Sequence, residues 1–212
     1  MFRLTAATVA AIAAASVFVA FVRAAPSGAG ARCENGYSYA GYASRGGVHG
    51  IAATITARGR PIVTSGHAAA WVGVGDKREW LQTGVAAFPR VGPRLYVEAV
   101  APGAHRIFVD LGAAATGRRY RVAVVEVAPG RWQASIDGRR VTATSSLPAP
   151  RGSWRGIATA ETWSAAHERC NSYRYRFDGV AVLGAGRWSV LARAQRVGRR
   201  VDGAGAAFSA QA

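Results

Sequence analysis

The chain is poor in the residues that carry most common enzyme chemistry. Its 212 residues include two cysteines, Cys33 and Cys170, four histidines and 11 acidic side chains. The cysteines show no CxxC spacing and the histidines no HxxxH spacing, so no metal site and no cofactor are expected. His49, His67, His105 and His167 are scattered and no GxSxG-like elbow is present, which argues against serine or cysteine hydrolysis. His67 itself reads as a turn residue ahead of the Trp71 strand, with a place lining a groove as the alternative. The two asparagines, Asn35 and Asn171, fall short of the ligand cluster of a calcium-dependent lectin. No E-x-D-x-E string supplies the closely placed carboxylates of a glycosidase.

Lysine is almost absent: Lys77 is alone among 27 basic residues, the rest being arginine, and the net charge is +16. In a chain so rich in Ala, Gly, Arg and Val, the arginine excess reads as compositional, and the arginines are scattered. The string YRYRF, residues 173–177, puts its rings on one face of a strand and Arg174 and Arg176 on the other, which is ordinary amphipathic design. A specific nucleic-acid surface is therefore not expected. Electrostatic association with an anionic cell envelope is, and salt would screen it.

One long uncharged run exists, Leu4–Val22, preceded by Arg3 and followed by Arg23-Ala24-Ala25-Pro26. It reads as an export signal over residues 1–24, cleaved after Ala24. The alternative is an uncleaved membrane anchor over residues 4–22, since about 20 apolar residues span a bilayer. Export makes the protein extracellular and makes Cys33 and Cys170 natural disulfide partners. Such a long-loop bridge stabilises by roughly 4–5 kcal/mol in the chain-entropy picture. Residues 25–47 read as a loose arm with three tyrosines at the surface or in a groove, and residues 48–212 as a single domain, expected to be monomeric.

Helix signals are missing beyond residue 48. Short alternating or β-branched runs recur instead, separated by Gly, Pro, Asp or Arg. The predicted strands are 51–57, 69–74, 80–85, 95–100, 107–111, 120–128, 132–136, 140–144, 156–163, 173–183, 188–194 and 206–210. Asp137-Gly138 predicts a two-residue hairpin turn, which needs positive φ at both positions. A dozen strands in one domain must stack as two sheets or close into a barrel. The all-β class expected is a two-sheet antiparallel sandwich.

Two stretches stand out against this pattern: WVGVGDKREWLQTGV at residues 71–85, and GIATAETW at residues 156–163. Together they resemble the eqolisin-type glutamic endopeptidases, in which a WVGI strand precedes an LLQxG strand and a later AEWI strand. YVEAV (residues 96–100) and FDGVAV (residues 177–182) resemble further strands of that family. The resemblance implies a concanavalin A-like jelly roll of the lectin/glucanase kind and a polypeptide substrate. It implies Gln82 and Glu161 as the catalytic pair. It points to Trp71, Trp80, Asp76, Glu98 and Trp163 as substrate contacts. Two departures are visible: Gly75 delays the acidic residue to Asp76, and Thr162-Trp163-Ser164-Ala165 replaces the family pattern after the glutamate.

The chemistry of such a pair is compact. One carboxylate takes a proton from water and returns it to the leaving nitrogen. A neutral amide holds the water and donates N–H to the oxyanion. Gln82 cannot titrate, so Glu161 carries the protons, and a single ionised carboxylate predicts an acidic optimum. Strand periodicity puts Trp80, Gln82 and Gly84 on one face, and Thr159, Glu161 and Trp163 on one face. Gly73 and Gly84 would admit a substrate backbone, with Trp71 and Trp80 as groove walls. The competing reading is a non-catalytic sandwich module that binds peptide or glycan in the same groove.

Overall fold

Alternation of inward apolar and outward polar residues generates strand after strand, and every element among the described residues is a strand. The computed structural model describes residues 35–211, apart from 77, 102, 142–144, 148–153, 166–169, 193 and 199–200. The first half of the chain forms β1 (Gly36–Gly47), β2 (Gly50–Ala57), β3 (His67–Gly75), β4 (Trp80–Phe88), β5 (Val91–Val100), β6 (Ile107–Ala113), β7 (Arg119–Ala128) and β8 (Arg131–Ile136). The second half forms β9 (Arg139–Arg140), β10 (Ser145–Ser146), β11 (Arg155–Ser164), β12 (Arg174–Gly184), β13 (Arg187–Val190), β14 (Ala194–Gly198), β15 (Val201–Ala204) and β16 (Ala207–Gln211).

These strands build two antiparallel sheets. The first runs β14-β1-β11-β3-β4-β5-β6. The second runs β10-β8-β7-β2-β12-β16-β15, with β13 also on β12 and β9 also on β8. The sandwich core lies between them and is asymmetric in side-chain size. The first sheet contributes small residues from β3 and β11, including Ala68, Ala70, Ala158 and Ala160. The second contributes large ones, including Tyr120, Trp132, Tyr175, Phe177 and Phe208. Phe177 and Phe208 stack with centroids 4.4 Å apart. Small against large lets the two layers interdigitate at interior packing density.

Most of the sequence pattern is realised. Tyr175 and Phe177 point into the core while Arg174 is exposed, as the alternation of YRYRF requires. Asp137 (φ 50°) and Gly138 (φ 78°) both adopt positive φ in the turn joining β8 and β9. Three differences matter. Residues 36–47, expected to belong to a loose arm, are the strand β1, paired on both sides by β11 and β14. The predicted strand 188–194 divides into β13 and β14, which belong to different sheets. The predicted strand 140–144 contributes only Arg139–Arg140 to the ladder with β8 before residues 142–144, which lie outside the described residues. The export signal or anchor and Cys33 also lie outside them.

Candidate active site

The outer face of the first sheet carries a cleft of about 490 Å³. Strand alternation explains which residues reach it. On β3, Ala68, Ala70, Val72 and Val74 face the sandwich core, so His67, Ala69 and Trp71 belong to the opposite face. On β4 the same rule exposes Gln82 and Ala86 to the cleft, and on β11 Glu161 and Trp163. Ladder register then fixes relative position. Glu161 pairs with Ala69, which pairs with Ala86, four residues along β4 from Gln82. An even offset keeps both side chains on one face, separated by about 13 Å of strand rise. Gln82 and Glu161 line the same cleft, whose lining includes the small side chains Ala69 and Ala86 level with Glu161.

Glu161 is 7 % exposed and both of its oxygens are engaged. Trp71 Nε1 donates to Oε2 at 3.0 Å. His67 Nε2 lies 2.8 Å from Oε1. Glu161 is thus not a carboxylate working alone, the premise on which an acidic optimum was expected. Tyr39, which pairs with Glu161 across the β1–β11 ladder, has its hydroxyl pushed well above the ordinary tyrosine range, by burial first and then by the Glu161 charge. Tyr96 is pushed up in the same way, by burial and then by Glu161 and Glu98. Both hydroxyls therefore stay protonated donors.

At the other end of the cleft, Glu98 is locked. Arg106 grips it as a fork, Nε to Oε1 at 2.6 Å and Nη2 to Oε2 at 3.0 Å. Trp80 Nε1 adds a donor to Oε1 at 3.2 Å. The hydrogen bond to Glu98 pushes the Arg106 guanidinium up further, against the opposing effect of burial. Gln82 Nε2 points toward Glu98 Oε2 at 3.4 Å and toward Tyr96 Oη at 3.3 Å. An arginine-paired carboxylate can only accept, so it fixes which end of the Gln82 amide faces it. Both bonds are long, and the amide N–H is held loosely.

The expected substrate contacts divide into three groups. Trp163 and Glu98 line the cleft. Trp71 and Trp80 do not wall it but stand behind the two glutamates as N–H donors. Asp76 is exposed and outside the cleft, where its Oδ1 accepts from the Arg78 and Glu79 amides and caps the β3–β4 turn. The walls are instead Tyr37, Phe88 and Phe108. Gly73 and Gly84 serve strand packing rather than substrate entry. A Cβ on Gly73 would sit 2.8 Å from the Gln82 Cβ, and one on Gly84 2.0 Å from the Ala70 carbonyl oxygen. The expected Cys33–Cys170 pairing involves a residue outside the described set.

Arg106, Tyr96, Phe88 and Phe108 escaped sequence reasoning, while His67 and Tyr37 had a groove position only as the alternative to a turn or a surface one. Tyr96, in YVEAV, shares the Glu98 face by period-two alternation, a signal that was available. His67 begins β3 and shares the Trp71 face by the same rule, once the strand is known to start four residues before Trp71. Arg106 lies just before β6, among 26 arginines, and nothing in its neighbours marks it. Among the described residues, no group of three His, Cys, Asp or Glu side chains is placed to hold a metal ion.

No protein-family model matches the chain, and no curated protein matches it significantly. Solved structures do. Two crystal structures of scytalido-glutamic peptidase, one with a peptide-based transition-state analogue, match with TM-score 0.61 at 17 % and 16 % identity. Each match covers 83 % of this chain and 97 % of that one. SCP-B, an eqolisin-family peptidase in complex with the tripeptide Ala-Ile-His, matches with TM-score 0.57 at 16 % identity over the same shares. At such low identity the likeness speaks for architecture, and on that evidence this chain has the fold of the eqolisin glutamic peptidases.

Proposed function

We propose that the protein is a divergent glutamic endopeptidase that hydrolyses peptide bonds with Glu161 and Gln82. The observation that carries the reading is that these two side chains line one cleft on this fold. Glu161, as carboxylate, takes a proton from the attacking water and later delivers it to the leaving nitrogen. Its Oε2 is an acceptor for Trp71, which has only a donor to offer, so the carboxylate is held in one orientation. Gln82 turns its loosely held N–H toward the developing oxyanion, and its Oε1 holds the water. The aromatic walls Tyr37, Phe88, Phe108 and Trp163 suit an extended polypeptide whose side chains pack on either hand. Export by residues 1–24, the Cys33–Cys170 disulfide, attraction to an anionic envelope and a monomeric state belong to the same proposal.

The test is hydrolysis of a denatured protein from pH 2 to 8, with pepstatin and a chelator present. Wild-type residues 25–212 should cleave. Glu161→Gln should lose about 10²–10⁴ of the rate with the fold unchanged by circular dichroism. A folded wild type that never cleaves would leave the peptide- or glycan-binding module as the reading.

A further inference from the structure

Every carboxylate that works as a base must be held by something, and what holds Glu161 includes a histidine from the neighbouring strand. His67 Nε2 approaches Oε1 at 2.8 Å, and its side chain is 16 % exposed. The ring is confined by aromatic neighbours on two sides, Tyr37 with centroids 6.0 Å apart and Phe88 at 6.2 Å. Trp163 stands opposite it in the β3–β11 ladder. His67 also lines the cleft, and Nδ1 makes no hydrogen bond to a described residue.

The groups that face His67 are few. From β11 comes Glu161 itself. From β1 comes the hydroxyl-bearing ring of Tyr37, on which Tyr39 stacks. From β4 comes the uncharged Phe88, and on β3 its own face continues with Ala69 and Trp71. Glu98, on β5, shares the cleft but is neutralised by Arg106. Glu161 is thus the one charge in direct contact with the ring among the described residues.

We propose that His67 is the positioning residue of Glu161. This rests on Glu161 being the general base. Two acceptors cannot face each other at 2.8 Å, so while Glu161 is ionised a ring proton sits on Nε2 and is donated to Oε1. His67 thereby aims the carboxylate at Oε1 as Trp71 does at Oε2. With both oxygens held, the carboxylate keeps one orientation toward the water it must deprotonate.

The experiment is steady-state kinetics of residues 25–212 on one denatured protein at the pH of highest wild-type activity, comparing wild type, His67→Gln, His67→Ala and Glu161→Gln. His67→Ala should lose roughly tenfold or more in kcat, with KM little changed, through loss of a hydrogen bond to a charged group. Glutamine keeps an N–H donor, so His67→Gln should recover most of the wild-type kcat. Equal kcat in wild type and folded His67→Ala, or no recovery in folded His67→Gln, would overturn the positioning role. Cleavage that survives Glu161→Gln, or none by any folded variant, would overturn the parent reading instead. Independently of turnover, ¹⁵N spectra of wild type should show Nε2 of His67 protonated. A ring protonated at Nδ1 alone would contradict the positioning role.

Discussion

Glu98 and Glu161 stand on the same face of one sheet, at 4 % and 7 % exposure, and line one cleft, yet their partners differ in kind. Glu98 accepts from the Arg106 fork, the Trp80 indole and the Gln82 amide, none of which gives up its proton near neutral pH. Glu161 accepts from the Trp71 indole and meets the His67 imidazole, with no guanidinium upon it among the described residues. Burial alone would treat the two alike. What separates them is the partner: a fixed cation clamps Glu98, whereas two ring nitrogens hold Glu161. In the proposed reaction Glu98 would hold Gln82 in register and Glu161 would move the proton.

Substitutions can break or sharpen this contrast. The largest effect beyond Glu161 itself is expected at Gln82. Gln82→Ala should lower kcat about 10²–10³-fold, the usual loss of one oxyanion donor, in steady-state assays. Trp71→Phe keeps the ring and removes the donor to Oε2. A hydrogen bond to a charged group is worth about 1.5–3 kcal/mol, so kcat should fall roughly 10–100-fold and Tm by several degrees. Arg106→Ala acts at the opposite end and should reduce stability more than it reduces kcat. A loss of about 2 kcal/mol in denaturant unfolding is expected, below that of a wholly buried pair because the Arg106 side chain is 53 % exposed. Asp76→Ala should leave kcat and KM alone and cost roughly 1 kcal/mol through its turn.

The sandwich was legible because alternation is local: a run such as RYRVAVV on β7 declares its buried face without reference to any partner. β1 was not legible. Its buried positions are Ala40, Gly41, Ala43 and Ser44, too small and polar to signal a strand, and it is held by pairing with distant β11 and β14. The same limit applies to the site. Gln82 and Glu161 could be proposed from their neighbours in sequence. The His67–Glu161 contact, 94 residues apart, depends on β11 lying beside β3, which no periodicity reveals. The aromatic walls and the Arg106 fork are of that kind too. Asp76 was misplaced because a carboxylate near a motif looks alike whether it caps a turn or faces a substrate.

The contrast between the two glutamates can be put to a single comparison: Glu161→Gln and Glu98→Gln, side by side with wild type, on one denatured protein at the pH of highest wild-type activity. The account predicts that Glu161→Gln abolishes cleavage while Glu98→Gln retains a reduced but measurable rate, both variants being folded. Cleavage by Glu161→Gln at the wild-type rate, or loss in Glu98→Gln alone, would contradict it.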